Sequence, residues 1–125
     1  MLLTVLFLGT GLFISGCIAA AAVGAGAGTA AYVMGKMQGT EAKDIDTVYN
    51  AAEKAAEQLK LNITERTHDK MSGEIIAWDS QDKKITIKLK AATENVTDIA
   101  IRVGFFGDET KSQLIYEKIR ENLKK

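Results

Sequence analysis

All thirty-two charged side chains of the chain, sixteen basic and sixteen acidic, lie at or after Lys36, so its first 35 residues carry none. That asymmetry constrains the molecule more than any other feature. A charge-free front cannot supply the surface of a water-soluble domain, so a soluble fold has to come from the residues behind it. The front itself has two parts. Met1 to Phe13 is rich in Leu, Val and Phe, the length of a signal h-region and too short to cross a bilayer, which takes about 20 apolar residues. It runs into Leu12-Phe13-Ile14-Ser15-Gly16-Cys17, where small residues precede the sole cysteine. With one Cys, an internal disulfide and a Cys-rich metal site are both excluded. Equal numbers of acids and bases give no bulk field to attract nucleic acid.

The stretch Ile14-Ser15-Gly16-Cys17 resembles the lipobox of bacterial lipoproteins. The resemblance implies a signal peptide over residues 1–16, cleavage between Gly16 and Cys17, and lipidation of Cys17 that holds the mature chain to a bilayer. Small residues suit the cut because a peptidase cleft must admit extended backbone there. No Lys or Arg precedes the apolar run, which points to a translation start upstream of Met1. Ile18, in place of Asp, resembles lipoproteins sorted to the outer membrane, so the expected location is the bacterial cell envelope, on the outer membrane and facing the periplasm. One acyl chain holds weakly, at about 0.8 kcal/mol per buried CH₂, whereas the two or three of a lipoprotein cysteine anchor stably.

Residues 17–40 then form an Ala/Gly-rich segment with two readings. One is a flexible tether of small residues. The other is a membrane-associated glycine helix, since Gly24 and Gly28 have the G-x-x-x-G spacing of close helix contacts. A phosphate-cradling glycine loop is disfavoured, because that motif needs a strand before it and a helix after it. Thr29-Ala30-Ala31-Tyr32-Val33-Met34 is more β-like, and residues 29–37 are a candidate fifth edge strand.

The globular domain is expected over residues 41–125. Ile45, Val48, Tyr49, Ala52, Ala56 and Leu59 recur at helical spacing behind acidic Glu41, Asp44 and Asp46, which predicts a helix from Ala42 to Lys60. Four strands follow: 61–67, 73–78, 83–90 and 96–103. In the third, Ile85, Ile87 and Leu89 alternate with Lys84, Thr86, Lys88 and Lys90. In the fourth, Thr97, Ile99, Ile101 and Val103 alternate with Val96, Asp98, Ala100 and Arg102. A last helix runs from an Asp108 N-cap to the C-terminus, with Leu114, Ile115, Ile119 and Leu123 as its apolar stripe. The order α-β-β-β-β-α gives an α+β fold: an antiparallel four-stranded sheet with two helices on one face and the other face open to water.

Several stretches together resemble a family of small, uncharacterised bacterial lipoproteins known only as a domain of unknown function. They are Ile14 to Cys17, the Ala/Gly run, Tyr32 to Gly35, Asp46 to Tyr49, Ile85 to Leu89 and Ile101 to Glu109. The resemblance implies an envelope lipoprotein and no chemistry.

The residues point the same way. His68-Asp69 has the composition of a base with its orienting carboxylate, but neighbours on a strand point to opposite faces and no motif places a nucleophile. Asp79, Asp82 and Glu94 lack the D-x-D-x-D-G spacing of a calcium loop and read as turns. The candidate partner surface is Trp78, Lys84, Lys88, Lys90 and Arg102, with Arg66 as a further member. Such a stripe suits an envelope protein or anionic lipid, and it equally serves as a solvated face that resists edge-to-edge aggregation. Trp78 belongs to it only if Ile75 and Ala77 face the core. In Phe105-Phe106-Gly107-Asp108, one Phe is expected to plug the core. The expected role is therefore a membrane-anchored, non-catalytic binding or structural module without cofactor. A glycine-helix protein of envelope integrity and a small envelope hydrolase are the competing readings.

Overall fold

The computed structural model describes residues 29–124. The apolar leader, Gly16 and Cys17, and the glycine pair Gly24 and Gly28 lie outside the described residues. Strands β1 (Thr29–Val33) and β2 (Lys36–Glu41) open the described chain as a hairpin. Its two turn residues, Met34 and Gly35, both have positive φ (49° and 82°), as a type I′ connection requires. Helix α1 (Ile45–Gln58) follows, then β3 (Asn62–His68), β4 (Ser72–Trp78), β5 (Lys84–Thr93), β6 (Val96–Val103) and helix α2 (Glu109–Leu123).

The six strands form one sheet in the order β1-β2-β6-β5-β4-β3, with every neighbouring pair antiparallel. The fold is α+β with two helices, as expected, but the sheet has six strands instead of four or five. Residues 29–41 supply two strands, not one edge strand, and β2 is an interior strand paired with β6. Glycines Gly35 and Gly39 hide the turn and the second strand, because glycine weakens a local β signal. Long-range pairing with β6 stabilises what propensity does not. Helix α1 carries the chain from β2 to the far edge, and the β3-to-β6 meander returns it to β2.

Alternation decides the core. On the helix side of the sheet, Met37, Ile101, Ile87 and Ile75 lie side by side across four strands, and Val103, Ile85 and Ala77 form a parallel row. All are buried. From α1, Ile45, Val48, Tyr49, Ala51, Ala52, Ala55 and Ala56 close over them. The alanines let the helix backbone approach the sheet, and each buried Ile contributes about 1.5–3 kcal/mol. Asp44 caps α1, its carboxylate accepting from Thr47 N at 3.1 Å. Asp108 caps α2 likewise through Lys111 N at 3.0 Å, which is the cap expected from sequence.

Two expectations for the C-terminal part fail. Leu114 is half exposed, and α2 instead buries Ser112, Ile115, Tyr116, Ile119 and Leu123. Neither Phe105 nor Phe106 plugs the core, because Val103 ends the buried row and positive φ at Gly104 (74°) turns the chain outward.

Candidate functional site

The helices cover one face of the sheet and leave the other bare. Four rows of side chains cross that open face. The middle row runs Ala31, Gln38, Ala100, Lys88, Glu74 and Thr67. Towards the end where β1 begins lie Thr40, Asp98, Lys90 and Ser72. Towards the other end, Thr86 lies between Arg102 and Ile76, and Trp78 lies between Asn62 and Lys84. Ala31 and Ala100 are small, so the face sinks into a shallow open trough of about 980 Å³ between β1 and Met71.

The structure resolves which way Trp78 points. Ile75 and Ala77 are fully buried, so Ile76 and Trp78 face outward, and Trp78 is 36 % exposed beside Lys84. Lys84, Lys88 and Lys90 share this face, and among the described residues none of the three makes an ion pair. Glu74 opposite Lys88 and Asp98 opposite Lys90 temper the stripe. Thr40 donates its hydroxyl to Asp98 at 3.0 Å, so that carboxylate is already engaged.

Arg102 lies on the same face with its guanidinium engaged. It donates to the backbone carbonyls of Phe105 and Met34, both at 3.3 Å, and ties the β1–β2 turn to the β6–α2 loop. Its role there is positional. Arg66 does not join the stripe at all. A bulge between Ile63 and Glu65 shifts the register of β3, so Arg66 pairs with Ile75 on the helix side and forms an ion pair with Glu53 of α1. A period-2 reading cannot anticipate the bulge, which reverses the faces of every residue after it.

His68, Asp69 and Asp79 each make contacts within the fold. His68 also lies on the helix side, stacked on Tyr49 (ring centroids 4.1 Å apart) and 2.9 Å from Asp46 Oδ1. Gly73, beside it on β4, leaves room for the Tyr49 ring. Asp69 shapes the β3–β4 turn, accepting from Met71 N and Ser72 N, and those bonds hold its carboxyl below the usual range. Asp79 is buried and clamps the β4–β5 turn. It accepts from Lys111 Nζ at 2.7 Å, Gln81 N at 2.8 Å and Lys83 N at 2.9 Å. The Lys111 bond leads in lowering its pKa to about 2. Lys83 in turn reaches Asp108 at 3.2 Å, so the turn and the start of α2 exchange two ion pairs. Glu41 is buried against α2, accepting from the Tyr116 hydroxyl at 2.6 Å with Arg120 Nε at 3.4 Å. Burial, then the Glu41 carboxylate, push the phenol far up, so it stays a donor. No group of three or more His, Cys, Asp or Glu among the described residues has the geometry to hold a metal ion. No helix among them is long and apolar enough to cross a membrane.

Sequence reasoning missed Lys36, which joins Lys88 and Arg102 around Ala100 and Thr86. It lies within residues 29–37, read as a single edge strand, and its place on the open face follows only from the pairing of β2 with β6. No curated protein matches the chain. The family described as "Protein of unknown function (DUF3568)" matches residues 1–122, and the chain belongs to that family.

Proposed function

We propose that the chain is a lipid-anchored protein of the bacterial cell envelope, held to the outer membrane through Cys17. Its α+β domain is a non-catalytic binding module that presents the open sheet face to an envelope protein. The observation that carries this reading is the bare face itself: Trp78 exposed beside Lys84, with Lys88 and Lys90 unpaired on the same surface. An aromatic anchor among cations is the composition of a partner surface with acidic character. A shallow open trough supports a binder over an enzyme, which would draw polar groups together in a deep cleft.

Two measurements test the two halves. Mass spectrometry of the mature N-terminus should find a cleaved, acylated Cys17, and Cys17→Ala should abolish both; an intact, unmodified leader would sink the anchor. In cells, a photocrosslinker at position 78 should capture a protein that is lost when Lys84 and Lys88 are both changed to Glu. Absence of an adduct at 78 would count against the face as a recognition surface.

A further inference from the structure

The strand directions bring two connections to one end of the sheet, the end opposite Thr29. One is the β1–β2 turn with Val33 and Met34; the other is the β6–α2 loop with Phe105 and Phe106. All four side chains stand in solvent: Val33 is 46 % exposed, Met34 86 %, Phe105 85 % and Phe106 88 %. The two loops form one unit. Arg102 bonds a carbonyl in each, and a Cβ on Gly107 would lie 2.8 Å from Gly35 Cα and its carbonyl oxygen and overlap the Tyr32 hydroxyl. Phe105 and Phe106 pack edge to face with centroids 5.0 Å apart. Cations flank them: Lys36 follows the β1–β2 turn, and Lys84 accepts the Gly104 amide through its carbonyl next to Phe105.

We infer that this tip is a docking site for an anionic lipid surface, with Met34, Phe105 and Phe106 entering the headgroup layer and Lys36 and Lys84 meeting lipid phosphates. The shape argues for a bilayer over a protein pocket. The apolar side chains project from two turns as a convex tip, whereas a protein hot spot is buried in a fitted, water-excluding pocket. Charge argues for anionic lipid: among the described residues Lys36 and Lys84 make no ion pair, while the acids nearest the loop on the helix side, Asp79 and Asp108, are held by Lys111 and Lys83. Asp82, on the β4–β5 turn, and Glu109, in the first turn of α2, also lie at this end, as do Glu57 and Glu65 beyond β4 at the far edge of the sheet. Exposed aromatics beside lysines are the composition that binds at an acidic lipid interface. The contact does not depend on lipidation of Cys17. The eleven residues from Ile18 to Gly28 extend to at most about 40 Å, and β5, ten residues long, spans about 33 Å, so a chain held at Cys17 can bring its tip to that same surface.

The test uses the full chain carrying Trp78→Phe and Phe106→Trp, which places the single indole at the tip, reconstituted in phosphatidylcholine vesicles with or without phosphatidylglycerol. With the anionic lipid, the emission should shift to the blue, lose intensity to shallow brominated lipids and become shielded from acrylamide. High salt should reverse all three, since 1 M salt shortens screening to about 3 Å. Adding Lys36→Gln and Lys84→Gln should reduce the lipid quenching. Emission that stays water-like and open to acrylamide would overturn the inference. So would equal quenching in purely zwitterionic vesicles, or a shift that follows protein density without lipid quenching, which would make the tip a contact between copies. Circular dichroism of each variant checks the fold. Because the readout is depth at position 106, an unacylated Cys17 or a missing adduct at position 78 leaves this outcome legible.

Discussion

Asp79 shows how far a single residue's role can lie from its apparent one. In sequence it is one of several loop acids; in the structure it is the buried acceptor of three hydrogen bonds that join the β4–β5 turn to α2. Its carboxyl titrates near 2, below the ordinary 3.8, so its contribution to stability is complete above pH 4 and is lost as pH falls through about 2. Asp79→Asn should therefore lower stability at pH 7 by about 1–3 kcal/mol in urea unfolding. It should also flatten the loss of stability between pH 4 and pH 2. A residual slope should remain, because Asp44, Asp69 and Asp108 are lowered too, each first by a hydrogen bond it accepts. An unchanged acid slope in the variant would show that Asp79 does not carry that linkage. Trp78, one position earlier, was half legible: alternation offered two registers, and burial of Ile75 and Ala77 against α1 selects the outward one.

Among the elements, the clearest strands in sequence, β5 and β6, are those with the longest regular alternation of core-facing Ile, Leu and Val against Lys, Asp and Arg. They occur as expected, as do both amphipathic helices. The β1–β2 hairpin was half legible: Thr29 to Val33 read as a candidate edge strand, whereas the turn at Met34-Gly35 and the glycine-bearing β2, an interior strand beside β6, did not show in the local pattern. The β3 bulge was equally invisible, and it removes Arg66 and His68 from the open face. The hairpin turn is held by Arg102 and packs closely on Gly107. Gly107 has φ of 90° and no room for a side chain, so Gly107→Ala should cost about 1–2 kcal/mol from backbone strain alone, more with the overlap at Gly35. Hydrogen exchange should then speed up in β1 and β2 while β5 keeps its protection. Uniform acceleration across the sheet would mean that the loop contact is not local.

At the scale of the whole molecule, β2 and β6 join the two ends of the described chain along one seam. The sheet consequently has no sub-part that closes its own core: the row Met37, Ile101, Ile87, Ile75 crosses four strands. Ile101→Ala should cost about 2–5 kcal/mol through the cavity it leaves. Trp78 fluorescence and far-ultraviolet circular dichroism should still report one coincident transition. Separate midpoints would show that the N-terminal hairpin melts independently.

Hydrophobic periodicity by itself determined the α+β class, both helices, the meander and the open polar face, because amphipathic segments longer than a few residues have one way to bury their apolar side. It also marked Lys84, Lys88, Lys90 and Arg102 as members of one face, since alternation assigns sides without knowing neighbours. Only the tertiary structure decided the rest: a sixth strand, the outward register of Trp78, the diversion of Arg66 by a bulge and the engagement of the Arg102 guanidinium with two loop carbonyls. It alone brought the turn with Val33 and Met34 to the same end of the sheet as the loop with Phe105 and Phe106. Each depends on partners distant in the chain, and a local pattern carries no information about which strand lies alongside or which backbone groups a cation meets.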